Sequence, residues 1–301
     1  MRKRQLLTAG IVAAVAGTTM LATSFAVADE ADATSPDPRL RTTTNVSTAA
    51  ELDAYWTPER IAGAKPAPAP DGSTDVDPAA IDTAAKAVSV DAEPSASGDI
   101  TGVAETEGRL LFSTNDGDYM CSGTVVTGDN KSVVATARHC GFTNGGSNYR
   151  FAPNYSGGNT PFGWWDWKSA SWLPGEGITN DWAFLSLNQK DGRPVADVVG
   201  SSGIGFNQTI DEYTHIVGIP GDKDVVFYCE GDGYTGPDSQ QLMDNCDGMS
   251  GGASGGAWVH NWADNGSGMQ VGTFFGSYGD AAAGSYFNGT AYEAYDNMQH
   301  T

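Results

Sequence analysis

Three short segments carry residue types that together can cut an acyl bond. Gly252-Ala253-Ser254-Gly255-Gly256 sets a serine among small residues. Thr136-Ala137-Arg138-His139-Cys140 carries a histidine beside a cysteine. Asn180-Asp181-Trp182-Ala183-Phe184-Leu185 opens an apolar run with an aspartate. A serine hydroxyl is a poor nucleophile near neutral pH; it needs a base in hydrogen-bond contact and a third group that orients the base. It also needs donors aimed at the developing oxyanion. Ser254, His139 and Asp181 supply nucleophile, base and acid in the chain order His, Asp, Ser, one of the orders in which Ser-His-Asp triads occur. Glycines beside the serine let backbone N–H groups converge on one point, because no Cβ blocks the turn. Gly252 and Ser254 are read as the donors of that oxyanion hole, and Gly255 and Gly256 as positions that let the next strand pack closely.

Each member has a plainer reading by itself. Five small residues make a tight turn in many proteins, and an aspartate before a strand is often a turn residue. Of the four histidines, His215 and His260 lie in strand-like runs, where histidine is ordinarily structural, and His300 is the last residue but one. His139 differs. It follows an apolar strand directly, and Cys140 beside it can be tethered to Cys121. A carboxylate at the mouth of a buried strand is costly unless hydrogen-bonded, and a histidine N–H would satisfy Asp181. Two other functions fit part of the pattern. Gly252-x-Ser254-x-Gly256 matches the nucleophile elbow of an α/β-hydrolase esterase, but that fold needs a helix after the serine and then an acid and a histidine. The flanks of Ser254 read as strands. A catalytically inactive binding module is the other rival, and all three triad positions are filled.

The elements that must position these residues are short strands. Runs at 109–113, 121–126, 132–136, 182–187, 213–219, 225–229, 257–260 and 270–275 are apolar or β-branched and are separated by Gly, Asn, Asp and Pro clusters. Many short strands with turn signals predict an all-β sandwich or barrel. One amphipathic stretch, 291–299, predicts a short C-terminal helix. The cluster Trp164, Trp165, Trp167 and Trp172 reads as packing under a long loop.

The preceding part of the chain differs. Arg2, Lys3 and Arg4 lead an apolar run that ends at Ala26-Val27-Ala28, an A-x-A-like cleavage site. Residues 1–28 read as a secretory signal peptide rather than a membrane anchor. Residues 29–98 are rich in Ala, Pro, Asp, Ser and Thr, with Lys65-Pro66-Ala67-Pro68-Ala69-Pro70 as the clearest low-complexity run. Such a composition buries little apolar surface, so the segment reads as a mostly disordered propeptide, with one short helix at 51–64 around Trp56. Residues 99–301 form the folded domain, large enough for a well-buried core. Four cysteines in an exported protein favour disulfides over metal. They allow three pairings; the nearest-neighbour one, Cys121–Cys140 and Cys229–Cys246, is expected, each bridge contributing roughly 3 kcal/mol by loop entropy. No metal-ligand spacing and no cofactor motif is read. The net charge is −21, which repels nucleic acid and anionic membranes. Protein or peptide substrates, a monomer and an extracellular location are expected.

With these residues in view, the chain resembles the trypsin/chymotrypsin-like serine proteases, in the bacterial secreted branch that contains the glutamyl endopeptidases. Cys121-Ser122-Gly123-Thr124, Thr136-Ala137-Arg138-His139-Cys140, Asn180-Asp181-Trp182-Ala183 and Gly252-Ala253-Ser254-Gly255-Gly256 resemble that family's segments, and Gly218-Ile219-Pro220-Gly221-Asp222-Lys223 resembles a stretch of the glutamyl endopeptidases. The resemblance spans about 105–295. It implies two packed six-stranded antiparallel β-barrels with a short C-terminal helix, the triad between them, and a secreted, zymogen-derived endopeptidase. Animal members carry Asp before the serine, where this chain has Ala253. Trypsin's specificity Asp is Gly248 here, and 271–276 lacks the histidine that reads glutamate.

Overall fold

The computed structural model describes residues 39–70, 87–93, 103–175, 177–263 and 267–301. The signal peptide read at 1–28 lies outside them. In chain order the described elements begin with β1 (Arg41–Thr44), α1 (Ala49–Tyr55), α2 (Pro58–Gly63), β2 (Lys65–Pro66), β3 (Val88–Val90) and α3 (Val103–Thr106). The first half of the domain follows as β4 (Glu107–Thr114), β5 (Gly117–Val126), β6 (Val133–Thr136), β7 (Ser147–Pro153), β8 (Trp165–Trp172) and β9 (Ala183–Leu187). After α4 (Ala196–Val199), the second half comprises β10 (Gly203–Phe206), β11 (Tyr213–Gly218), β12 (Phe227–Asp232), β13 (Tyr234–Thr235), β14 (Gln241–Met243), β15 (Ala257–His260), β16 (Met269–Tyr278) and β17 (Ala281–Tyr286). Helix α5 (Gly289–Gln299) ends the order.

The all-β expectation holds. In the first half β8-β7-β4-β5-β6-β9 run antiparallel, and β8 also pairs β9, so six strands close into a barrel. In the second half the order is β12-β11-β15-β16-β17-β14-β13, a curved half-barrel sheet, with β10 added on β16 and β3 on β10.

In the first barrel β6 and β9 are buried on both faces, which is why they read as continuous apolar runs instead of alternating ones. On β6, Val134 points into the barrel with Leu110, Phe151 and Leu185. Val133 and Ala135 point outward, where Phe184, Phe206, Phe287 and the α5 residues Ala291, Ala294, Tyr295 and Met298 cover them. Helix α5 starts where Asn288 accepts the Ala291 N–H at 3.0 Å, a side-chain N-cap. Tyr295 ties it down through its hydroxyl, which donates to the Thr127 carbonyl at 2.7 Å.

Where a mostly disordered propeptide is expected over 29–98, residues 39–70 instead form ordered elements on the first barrel. Strand β1 pairs antiparallel with β8. Leu52 and Trp56 are buried, and the Trp56 indole N–H donates to the Asn148 carbonyl at 2.6 Å. Trp56 and Ala64 cover Leu111 on the outer face of β4. Arg60 and Tyr55 both hold Asp118, at 2.9 and 2.7 Å. Composition misleads here because a few apolar side chains, spaced along a polar segment, each find a slot on a surface that already exists. The single helix expected at 51–64 is two: Thr57 caps a new start with Pro58 at its first position, and the residue before a proline is steered out of the helical region. Of the tryptophan cluster, Trp165, Trp167 and Trp172 lie on a strand, β8, not under a loop, with Trp165 and Trp167 packed in the barrel core, while Trp164 precedes the strand and packs beside Leu111 and Tyr155.

Candidate active site

Strands β6 and β9 are antiparallel neighbours, with Thr136 opposite Ala183. The end of one strand therefore lies beside the start of the other. His139 comes three residues after Thr136 and Asp181 two before Ala183, so the register alone brings them together. His139 Nδ1 lies 2.5 Å from Asp181 Oδ2, and the His139 backbone N–H donates to Asp181 Oδ1 at 2.8 Å. That pairing assigns the proton to Nδ1. Nε2 then carries a free lone pair; it is buried and has no partner among the described residues.

Asp181 is fully buried. Burial pushes its carboxyl up, but the facing His139, together with Arg138, outweighs that and holds it below the usual carboxylate range. Arg138 Nε stands 3.9 Å from Oδ1. The second half of the domain grips the aspartate's backbone. Ser285 on β17 accepts the Asp181 N–H at 2.8 Å, and Thr273 on β16 donates to the Asp181 carbonyl at 3.1 Å.

Ser254 sits in the loop before β15, and the first half holds that loop. The Ser122 N–H donates to the Ser254 carbonyl at 2.7 Å. The Ser122 hydroxyl donates to the Gly252 carbonyl at 3.0 Å and accepts the Ile219 N–H at 2.8 Å. Thr136 Oγ1 donates to the Ser122 carbonyl at 2.7 Å, which links the base of the loop to the strand that leads to His139. Arg109, buried on β4, reaches the Ile219 carbonyl at 2.7 Å, the Gly252 carbonyl at 3.4 Å and Asp224 at 3.0 Å.

Two glycines are required by this geometry. Gly252 has φ +97°, and a Cβ there would stand 2.7 Å from the Gly221 nitrogen. Gly255 has φ +86°, and a Cβ there would overlap the Ser122 carbonyl oxygen and Thr136 Oγ1. The backbone donors divide cleanly. The N–H groups of Ala253, Gly255 and Gly256 are bonded to Ser250, Phe274 and Ala253. Those of Gly252 and Ser254 donate to no described residue. The Gly252 carbonyl is turned back toward Ser122 and Arg109.

Cysteine pairs Cys121–Cys140 and Cys229–Cys246 are joined, with Cα–Cα distances of 6.2 and 5.5 Å. The first bridge packs between the two halves of the site: Cys140 adjoins His139, and its sulfur lies 3.8 Å from the Ser254 carbonyl oxygen. His139 is close enough to both sulfurs to suggest a metal cluster, but a disulfide offers no thiolate to a metal. His215 and His260 face Glu230 and Glu212 on the second sheet, and His300 pairs with its own helix. Arg109, Ser122, Thr273 and Ser285 are the supports that the sequence reading missed. A strand arginine and isolated hydroxyls carry no local signal of such a role.

Among the described residues no helix is long and apolar enough to cross a membrane. No family model and no curated protein matches the chain. Solved structures do. A thermostable serine protease, AL20, from an extremophilic microorganism is 31% identical, with a TM-score of 0.59, over 66% of this chain and 98% of that one. The protease Anisep from Arthrobacter nicotinovorans is 26% identical, with a TM-score of 0.61, over 71% of this chain and all of that one. With the closed barrel, the half-barrel beside it and this likeness along nearly the whole of AL20, the chain belongs to the chymotrypsin-like serine protease family.

Proposed function

We propose that the protein is a secreted serine endopeptidase, exported by residues 1–28, made with a propeptide at 29–98 and active through its domain at 99–301. The observation that carries this reading is the joint geometry of one paired and one free imidazole nitrogen on His139 and two unbonded backbone N–H groups flanking Ala253.

Ser254 Oγ attacks the carbonyl carbon of the scissile peptide, and its proton passes to His139 Nε2. Negative charge develops on the carbonyl oxygen, where the Gly252 and Ser254 N–H groups receive it. The imidazolium gives its proton to the leaving nitrogen, the C–N bond breaks, and the acyl group stays on Ser254. Water, deprotonated by the same base, releases it. Asp181 remains ionised throughout and holds the imidazolium, which its lowered pKa supports. Ala253 offers no carboxylate to a new amino terminus. The support for the Gly252 carbonyl comes instead from Ser122 and from the Arg109 guanidinium, both already inside the domain.

The test pairs an active-site-directed fluorophosphonate with a casein digest on matured protein. Covalent labelling that maps to Ser254, together with casein cleavage, is expected. Labelling without casein cleavage would point to an esterase, and neither result would leave an inactive module.

A further inference from the structure

The second half of the domain is short of cations. Residues 201–301 hold 13 Asp and Glu but one Lys and no Arg. That one, Lys223, is held by the Gly248 carbonyl and Asp222. A surface of one sign draws partners of the other.

On one face of the half-barrel this charge meets exposed aromatic rings. In the β11–β12 ladder Tyr213 stands opposite Asp232, His215 opposite Glu230 and Val217 opposite Tyr228. Residues directly opposite point to the same side of a sheet, so all six share one face. Exposure alternates along β12, and Tyr228, Glu230 and Asp232 are its exposed members. Strand β12 is also the outer strand of its sheet. Tyr213 is 55% exposed and Tyr228 56%.

The rings gather around His215, whose Nε2 lies 2.7 Å from Glu230 Oε2. Asn261, at φ +55°, turns the chain after β15. Trp262 then stacks on the imidazole, with centroids 4.4 Å apart and planes at 17°. Tyr213 stands at 75° to the imidazole, 5.8 Å away, and Tyr228 lies stacked 6.0 Å from Trp262. Trp262 itself packs on Val217, Ala257 and Val259. The platform is therefore fixed from within, while about half of each tyrosine stays in water. His215 Nδ1 is buried and has no partner among the described residues.

An aromatic face attracts a cation through its quadrupole. Arginine stacks on such faces while its N–H groups pair with carboxylates. Tyr213 and Tyr228 beside Glu230 and Asp232 offer both interactions at once. A neutral apolar partner would strip water from the same carboxylates without replacing it.

We propose that this face of β11 and β12 is a docking surface for arginine- or lysine-bearing segments of a protein substrate. The substrate role rests on the peptidase reading; the affinity for the cation does not. The distance suits that role. Val259 lies opposite His215 in the β11–β15 ladder, and the chain from Ser254 to Val259 spans at most about 18 Å. A substrate held at Ser254 covers that span with about five or six extended residues.

The test uses the full chain carrying Ser254→Ala, which leaves a bound peptide uncut, and a fluorescein-tagged hexa-arginine peptide whose Kd is read by polarisation. Tyr213→Ala/Tyr228→Ala removes two exposed rings and no charge, and should weaken binding about tenfold. Glu230→Gln should weaken it about two- to threefold, and serves if the double variant does not fold. Asp116→Asn, an equal loss of charge at an exposed residue between β4 and β5, should leave the Kd unchanged. A Kd indifferent to the rings, or raised as much by Asp116→Asn as by Glu230→Gln, would overturn the docking surface. Ring-dependent binding of neutral maltohexaose in place of hexa-arginine would make the platform a sugar site and overturn it too. On matured protein with Ser254 intact, an arginine-tagged peptide substrate should have a lower KM than its untagged parent. That advantage should vanish in the double variant with kcat unchanged. Cleavage with no such advantage would overturn the substrate role alone. No cleavage of either substrate, with the Kd pattern intact, would overturn the peptidase reading and leave the cation site standing.

Discussion

His139 and Asp181 stand at the ends of two strands of the closed barrel that pair with each other, and strand register is nearly all that brings them together. Ser254 stands in a loop of the open half-barrel, and no ladder fixes it. Its place depends on glycine conformations and on hydrogen bonds received from the other half, through Ser122 and Arg109. The exchange is mutual, since Thr273 and Ser285 of the half-barrel hold the backbone of Asp181. A regular, closed sheet suits a base and an acid that must keep one orientation. A loop suits a nucleophile that must stand beside unpaired N–H groups, because a strand would have bonded them. Each half also holds the chemistry of the other, so the site exists only when the two are docked.

The largest effect is expected at the proposed nucleophile. Ser254→Ala should lower kcat by a factor on the order of 10⁶, the scale known for another serine protease, with the fold and Tm unchanged. If a tenth of the activity survives on a peptide substrate, the loop does not supply the nucleophile.

On the barrel side, Asp181→Asn keeps the shape but offers an amide to His139 Nδ1 and so favours the wrong tautomer. A loss on the order of 10⁴ in kcat is expected, by the measured behaviour of such a change elsewhere. A loss of less than tenfold would mean that strand register, and not the carboxylate, orients the imidazole.

Gly252→Ala tests the loop's dependence on backbone shape. Its φ of +97° and the Gly221 nitrogen 2.7 Å away leave no room for the methyl, so the Gly252 N–H must turn. A fall of about 10²–10³ in kcat, with KM little changed, is the signature of one lost oxyanion donor. An unchanged kcat would remove Gly252 from that role.

The smallest effect is expected at Glu107, on the boundary between the halves. Glu107, at the start of β4, is fully buried and accepts the Thr124 hydroxyl at 2.5 Å. Burial pushes its carboxyl well above the usual range, against the pull of Thr124 and Arg109. A carboxyl protonated in the fold but ionised when unfolded loses stability as pH rises above its unfolded pKa of about 4.3, by at most about 1.4 kcal/mol per pH unit. Glu107→Gln cannot ionise. Its Tm should therefore gain on the parent's from pH 5 upward until Glu107 itself titrates. A constant difference between pH 5 and 8 would show that Glu107 is already ionised in the fold.

The candidate site residues stand out in the sequence because each sits in a short segment whose chemistry is local: a histidine after an apolar strand, an aspartate before one, a serine among glycines. The first barrel was legible at β6, where Val133 and Val134 read as a strand whatever surrounds them. Strand β8 was not, because its tryptophans alternate with Asp166, Lys168 and small residues, and bulk alone does not distinguish a barrel strand from a covered loop. Arg109 was hidden for a related reason: an arginine in a strand ordinarily faces water, and only the fold shows it turned inward on Gly252. Residues 39–70 were hidden by averaging. Composition counts Leu52, Trp56, Ala64 and Ala67 against a polar background and cannot register that each one meets a slot on the barrel.

The bonds that cross between the halves have a consequence for the order of events during synthesis. The backbone of Asp181 is held by Ser285 on β17 and by Thr273 on β16, the last two strands in the chain order. The loop before Ser254 is held by Ser122 and Arg109, which are made first. A chain that emerges barrel first therefore carries no complete His139-Asp181-Ser254 arrangement until β17 has docked. The timing of the site is set by chain order.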